Sequence, residues 1–242
     1  MLEAPDISTS ASQLVDADLG IAQLHGIRTN AEMIANLCPV GSGPPLIADM
    51  NTGYDGLFII ALAIQAHVQA GVASFHIEDQ IVQKRCSHLQ GKEVVDIGIF
   101  VQYIKACMIA CAWLRSDIVI ITRIDTYQSR GYKECLGRLR TAGDSGADMG
   151  ILEGSSPRLA SWPLCLKQTI VFSFAALALV YVAIKKSFEL LKSKGVTGTP
   201  ENIPPKLIFQ AHLLDKEAEF DAATGGLFLP TRYNTNKRYA KE

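Results

Sequence analysis

Short β-branched apolar runs alternate with longer helical patterns along most of this chain, and that order leaves few folds open. Candidate strands are Pro45 to Asp49, Ala73 to Glu78, Ile118 to Arg123, Met149 to Glu153 and Thr169 to Ser173. Candidate helices cover Thr29 to Leu37, Leu57 to Ala70, Ile97 to Leu114, Tyr132 to Ser145, Phe174 to Lys194 and Lys206 to Phe220. Strand then helix, repeated without hairpin signals, predicts a parallel α/β sheet. Polar, charged and glycine residues gather where the strands end, at Asp49, Glu78, Arg123-Ile124-Asp125 and Glu153-Gly154. In barrels and doubly wound sheets alike, that edge carries the chemistry.

At 242 residues, with 48% hydrophobic and 19% charged, the chain can bury one large core, and a single α/β domain is the simplest reading. A formal charge of -1 with dispersed basic residues argues against nucleic acid as a partner. The cysteines Cys38, Cys86, Cys107, Cys111, Cys135 and Cys165 are too irregular for a disulfide framework. Met1 to Asp6 carries no basic region followed by an apolar stretch. The expectation is an intracellular, cytoplasmic place, with mitochondrion and peroxisome left open. Cys107 and Cys111 share one helix face, which suits either a metal or a pair of core thiols, and core thiols are expected. The apolar run Thr169 to Ile184 falls short of the roughly 20 residues that cross a bilayer as a helix. It reads as a buried strand followed by a core helix, so no membrane span is expected.

Lys84-Arg85-Cys86-Ser87-His88 places a thiol between two cations and a histidine, where neighbouring positive charge favours the thiolate. Cys86 is thus a candidate acid, base or nucleophile. Carboxylates at the ends of the two preceding strands could hold a divalent cation beside it.

Ile47-Ala48-Asp49-Met50-Asn51-Thr52-Gly53-Tyr54, Ala70 to Gln80, Lys84 to His88, Thr122-Arg123-Ile124-Asp125, and Gly146-Ala147-Asp148 with Leu152-Glu153-Gly154 occur in an order that resembles the isocitrate lyase/phosphoenolpyruvate mutase superfamily. Within it, the cysteine loop is similar to the 2-methylisocitrate lyase-like and oxaloacetate hydrolase-like members. The resemblance implies an α/β fold of (β/α)8 TIM-barrel type over 1–198, with a C-terminal helical extension and tail over 199–242. It also implies Mg2+, with Mn2+ as a substitute, held by Asp49, Asn51, Glu78 and Asp18. Cys86, His88, Arg123 and Glu153 fall on catalytic positions, and Arg123, Lys84 and Arg85 on substrate-binding ones. A small carboxylate substrate follows, as does a homo-oligomer, dimer or tetramer, that exchanges a C-terminal helix beginning near Lys206.

Departures qualify that expectation. Asn51 stands where the family usually has aspartate, Ser87 where the loop has glycine, and Asp55 where a glycine follows Gly-Tyr. Only a few residues precede the region matching Thr9 to Ser12, where the family has two strands and a helix, and a late carboxylate-binding strand has no counterpart between Pro163 and Thr169. The barrel is therefore expected to be incomplete or remodelled. Three functions remain: a carbon-carbon lyase acting through an enolate-like intermediate on a small 2-hydroxy or 2-oxo di- or tricarboxylic acid, an oxaloacetate-type hydrolase, and a degenerate member that binds a partner or a bulkier metabolite.

Overall fold

In the computed structural model, the described residues are 2–4, 20–37, 43–86, 89–153, 167–168, 177–195 and 214–226. The chain divides into two compact units, Met1–Ser173 and Phe174–Glu242, whereas the sequence reading put the boundary at 198/199. The first unit holds β1 (Leu2–Ala4), α1 (Leu24–Ala35), β2 (Leu46–Asp49), α2 (Leu57–Gln69), β3 (Ser74–Glu78), α3 (Ile97–Leu114), β4 (Val119–Ile124), α4 (Tyr127–Asp144), β5 (Met149–Leu152) and β6 (Lys167–Gln168). The second holds α5 (Leu177–Lys194) and α6 (Leu214–Ala223).

All strand pairs are parallel, and the strands lie in chain order, β1-β2-β3-β4-β5-β6. A doubly wound sheet reverses its order partway, whereas an order that never reverses is the singly wound path of a barrel. Two elements depart from the sequence reading. Leu2–Ala4 forms a strand beside β2, in register from Leu2 with Leu46 to Ala4 with Ala48, in the region expected to lack strands. The late strand is Lys167–Gln168, and Thr169 to Ser173 lie outside the described residues.

Helix boundaries follow local chemistry. Asp96 caps α3 by accepting a hydrogen bond from the Gly98 N–H at 2.8 Å. Past the end of α2, Gly71 takes φ +82°, a left-handed conformation that suits glycine. Helix α4 begins at Tyr127 rather than Tyr132 because it is kinked: Gly131 has φ 80° and ψ 174°, and only the segment after it carries the regular pattern.

Side chains alternate along each strand, so the buried apolar residues sort into two sets. Leu46, Ala48, Phe75, Ile77, Ile120 and Ile124 pack with Ile60, Ile64, Phe100 and Ile104 of α2 and α3 in the layer between sheet and helices. Ile47, Ile121 and Ile151 form a separate cluster on the opposite face. Asp49, Glu78 and Arg123 continue that second face at the carboxyl ends of their strands.

Among the described residues, one helix, α3, is long and apolar enough to cross a membrane. It contributes Phe100, Ile104, Cys107 and Cys111 to the core, and burial pushes both thiols up. The expected core role of the two cysteines thus matches their place in the fold.

Candidate active site

Register brings the site together. In the parallel ladder Asp49 stands opposite His76, and Glu78 opposite Arg123. Arg123 is 8% exposed and lies at the centre of a ring of carboxylates. Its Nη2 is 2.9 Å from Glu78 Oε2, its Nε 2.9 Å from Asp125 Oδ2 and 3.9 Å from Glu153 Oε2, and its Nη1 4.0 Å from Asp49 Oδ2. Lys84 Nζ lies 3.7 Å from Glu78 Oε1, and Lys92 Nζ donates to Asp125 Oδ1 at 2.6 Å. His76 Nδ1 lies 3.6 Å from Asp49 Oδ1.

Charge balance explains how these groups titrate. Among the described residues, Asp49, Glu78, Asp125 and Glu153 face Lys84, Lys92 and Arg123, so carboxylates outnumber the permanent cations they face. Burial opposes ionisation of Asp49, but His76, Lys84 and Arg123 outweigh it and hold that carboxyl well below the usual range. Burial dominates at Glu78, where Arg123 and Lys84 only partly offset it and Asp125 and Asp49 add repulsion, pushing it up to about 7. Arg123 is buried too, yet Glu78, Asp125, Asp49 and Glu153 hold its pKa well above the ordinary value.

The loop after β2 is built from unusual backbone. Asn51, Gly53, Tyr54 and Asp55 have φ of 50°, 84°, 60° and 70°. A Cβ on Gly53 would sit 2.5 Å from Ile60 Cγ1, so only glycine lets the loop approach α2 so closely. The loop turns Asn51 inward, where its N–H donates to Asp49 Oδ1 at 2.8 Å and its own Oδ1 is buried without a hydrogen-bond partner. Asn51, Thr52, Tyr54 and Asp55 then line a polar pocket of about 320 Å³.

Among the described residues, no three His, Cys, Asp or Glu side chains form a metal-holding group. A hard cation that keeps most of its waters needs only one or two protein oxygens. Asp49 with the orphaned Asn51 Oδ1 supplies them, so the donors fit Mg2+. Glu78 instead faces Arg123 and Lys84, and Asp18 lies outside the described residues.

The cysteine loop leaves β3 at Gln80 and returns at Val94, where the two form an antiparallel bridge. Gln80 clamps it by donating from Nε2 to the Arg85 carbonyl and accepting from the Arg85 N–H, both at 3.1 Å. Cys86 is half-buried. Ser87 and His88 lie outside the described residues. Lys84 is buried against Glu78, and the Arg85 side chain is exposed, so these two expected substrate ligands separate.

Sequence reading did not assign roles to His76, Lys92, Asp125, Asp79 or Arg138. His76 sits two residues before Glu78, and Asp125 two after Arg123, so extending the two-residue period would have found both. Asp79 points to the other face, where Arg138 Nη1 of α4 reaches its Oδ2 at 3.1 Å, a pairing no local pattern signals.

A singly wound parallel sheet with a charged cluster at the carboxyl ends of its strands is the mark of the (β/α)8 barrel class. Residues 7–188 match the phosphoenolpyruvate phosphomutase family, and the chain belongs to it, within the phosphoenolpyruvate mutase/isocitrate lyase superfamily. The 2-methylisocitrate lyase of Vibrio cholerae is 36% identical over 132 residues, 54% of this chain and 41% of that protein. The chain spans less than half the length of the curated relatives it matches. Among solved structures, oxaloacetate acetylhydrolase with the inhibitor 3,3-difluorooxalacetate is 41% identical, with TM-score 0.84 over 94% of this chain and 86% of that one. The same enzyme with its product oxalate gives 40% and 0.81 over 93% and 86%. A crystal form of 2,3-dimethylmalate lyase is 38% identical, with TM-score 0.81 over 93% of this chain and 83% of that one.

Proposed function

We propose that this protein is a Mg2+-dependent carbon-carbon lyase acting on a small 2-hydroxy or 2-oxo di- or tricarboxylic acid. The carrying observation is Arg123, a permanently charged planar fork among Asp49, Glu78, Asp125 and Glu153 at the strand ends. A fork of that kind receives a substrate carboxylate with two parallel hydrogen bonds. Glu153, less buried than the other carboxylates of the ring, takes the proton of the substrate hydroxyl. As the carbonyl forms, the adjacent carbon-carbon bond breaks and its electron pair stays on the carbon beside a carboxylate. Cys86 then gives that carbon a proton, or removes one in the reverse direction. Mg2+, with Mn2+ as a substitute, would be held by Asp49 and Asn51 and would stabilise negative charge on the enolate-like oxygens.

Two other readings have specific support. Likeness to oxaloacetate acetylhydrolase favours hydrolytic cleavage of an oxaloacetate-type acid. Asn51 in place of the usual aspartate favours a degenerate member that binds without turnover. Turnover of a panel of 2-hydroxy and 2-oxo di- and tricarboxylates, with and without Mg2+, separates the three. Aldol-type products support the lyase, acetate with oxalate supports the hydrolase, and binding without turnover supports the degenerate member.

A homo-oligomer with an exchanged C-terminal helix and an intracellular, cytoplasmic location belong to the same reading. Exposed Phe58 and Trp113 beside an apolar groove of about 390 Å³ on α2 and α3 support association. Among the described residues, Cys107, Cys111 and Cys135 are buried thiols outside any disulfide, which suits a reducing compartment. A monomer by light scattering at working concentration counts against the oligomer.

A further inference from the structure

We infer that Lys92 is a positioning residue: through Asp125 it sets how Arg123 is presented to an incoming carboxylate, and it ties the Cys86 loop to that arginine. This rests on the reading of Arg123 as a carboxylate grip.

The geometry is a three-member chain. Asp125 accepts from Arg123 Nε at Oδ2 (2.9 Å) and from Arg123 Nη2 at Oδ1 (3.3 Å), while Lys92 Nζ takes Oδ1 at 2.6 Å. The Lys92 and Asp125 side chains are fully enclosed, so the pair meets no screening solvent. The Asp125 main chain is anchored, because its N–H donates to Asp79 Oδ1 at 2.8 Å, and Asp79 is in turn held by Thr126 Oγ1 and by Arg138 Nη1 at 3.1 Å. Asp125 meets Arg123 with both oxygens, closely at Oδ2 and more loosely at Oδ1, where its negative charge is shared with Lys92. Lys92 takes up part of that charge and leaves the guanidinium freer to engage a ligand.

Lys92 also lies on the return limb of the cysteine loop. Two residues on, Val94 bridges Gln80, flanked by Ile81 N–H to Glu93 O at 3.0 Å and Val95 N–H to Asp79 O at 2.9 Å. The limb that carries Lys92 is thereby pinned to the β3 end that carries Glu78 and Asp79. An error in the limb's placement is an error in the Asp125 partner, and so in Arg123.

The test is oxalate titration by calorimetry in Mg2+ on wild type, Lys92→Met and Lys92→Arg, with KM and kcat for whichever acid is turned over. Lys92→Met is expected to weaken oxalate roughly tenfold and raise KM similarly, with kcat within about threefold. Lys92→Arg, which keeps the charge, is expected to recover most of that affinity. That split and rescue would not come from a merely structural lysine, which would alter folding and not the ratio of KM to kcat. Should Lys92→Met not fold, Lys92→Arg still decides: a fork in place of a point charge shifts Asp125, so about threefold weaker oxalate binding is expected. Wild-type affinity in the folded variants overturns this inference alone. Wild type that binds no oxalate overturns the lyase reading and this inference with it.

Discussion

Arg123 and Glu78 are register partners on adjacent parallel strands, and the guanidinium Nη2 meets the carboxylate Oε2 at 2.9 Å in a setting where Glu78 is fully buried. An ion pair so enclosed contributes little net stability, but removing one partner leaves a charge with nowhere to go. Arg123→Met is therefore expected to destabilise the fold by about 3 kcal/mol or more. Arg123→Lys keeps the charge and loses the fork, so its fold survives while kcat/KM falls roughly a hundredfold. Denaturant unfolding together with steady-state kinetics checks both, and an Arg123→Lys enzyme with normal kcat/KM removes the grip from this residue.

Glu78 predicts a pH dependence of stability with a definite sign. Its folded pKa, about 7, lies above the ordinary 4.5, so the native state holds this proton more tightly than the unfolded chain. The associated stability is fully present below about pH 4.5 and is lost as pH rises through 7. The loss is on the order of 3 kcal/mol at most. Glu78→Gln, which cannot ionise, is expected to gain on wild type in Tm between pH 5 and 8. Parallel Tm profiles for the two proteins would refute the assignment. Asp49 works in the opposite direction: its depressed pKa gives stability that is lost as pH falls below its ordinary 3.8.

Cys86→Ser separates chemistry from folding. The thiol is half-buried and outside the core, so Tm is expected to stay within a degree or two. Turnover is expected to fall about a hundredfold or more, because a hydroxyl is a far weaker proton donor. A serine variant with wild-type turnover would take Cys86 out of the reaction.

Two neighbouring substitutions in the β2–α2 loop are expected to have opposite signs. Gly53→Ala forces a Cβ against Ile60 at a φ of +84°, and should cost about 2 kcal/mol or more. Asp55→Gly relieves a left-handed aspartate at φ +70° and should stabilise by about 0.5 kcal/mol. Thermal melts of both variants test the loop conformation without reference to any substrate.

Much of the architecture was legible because its signals are local. β2 to β5 and α2 and α3 announce themselves through period and composition, and Leu57 and Ile97 begin helices where the sequence placed them. Leu2–Ala4 was missed because three residues carry too little pattern, and its strand identity comes from pairing with Leu46 to Ala48. The Tyr127 turn was hidden by Gly131, which interrupts the helical period. In the site, Asp49, Glu78, Cys86 and Arg123 stood out by motif. Which cation faces which carboxylate was not readable, because Lys84 and Lys92 lie on a loop whose folding back sends them to different partners.

The chain-order strand path bears on how the protein folds. Asp49 and Glu78 are synthesised well before Arg123, so a nascent β2–β3 pair holds two buried-to-be carboxylates without the arginine that faces them both. Such a pair gains hydrogen bonds, while repulsion between its carboxylates is offset only in part by His76 and Lys84. Strand β4 adds Arg123 to the counterions His76 and Lys84, and the neighbouring ladder, in one step. The charged edge thereby favours joint assembly of β2, β3 and β4, since each strand contributes a member of the same buried ion cluster.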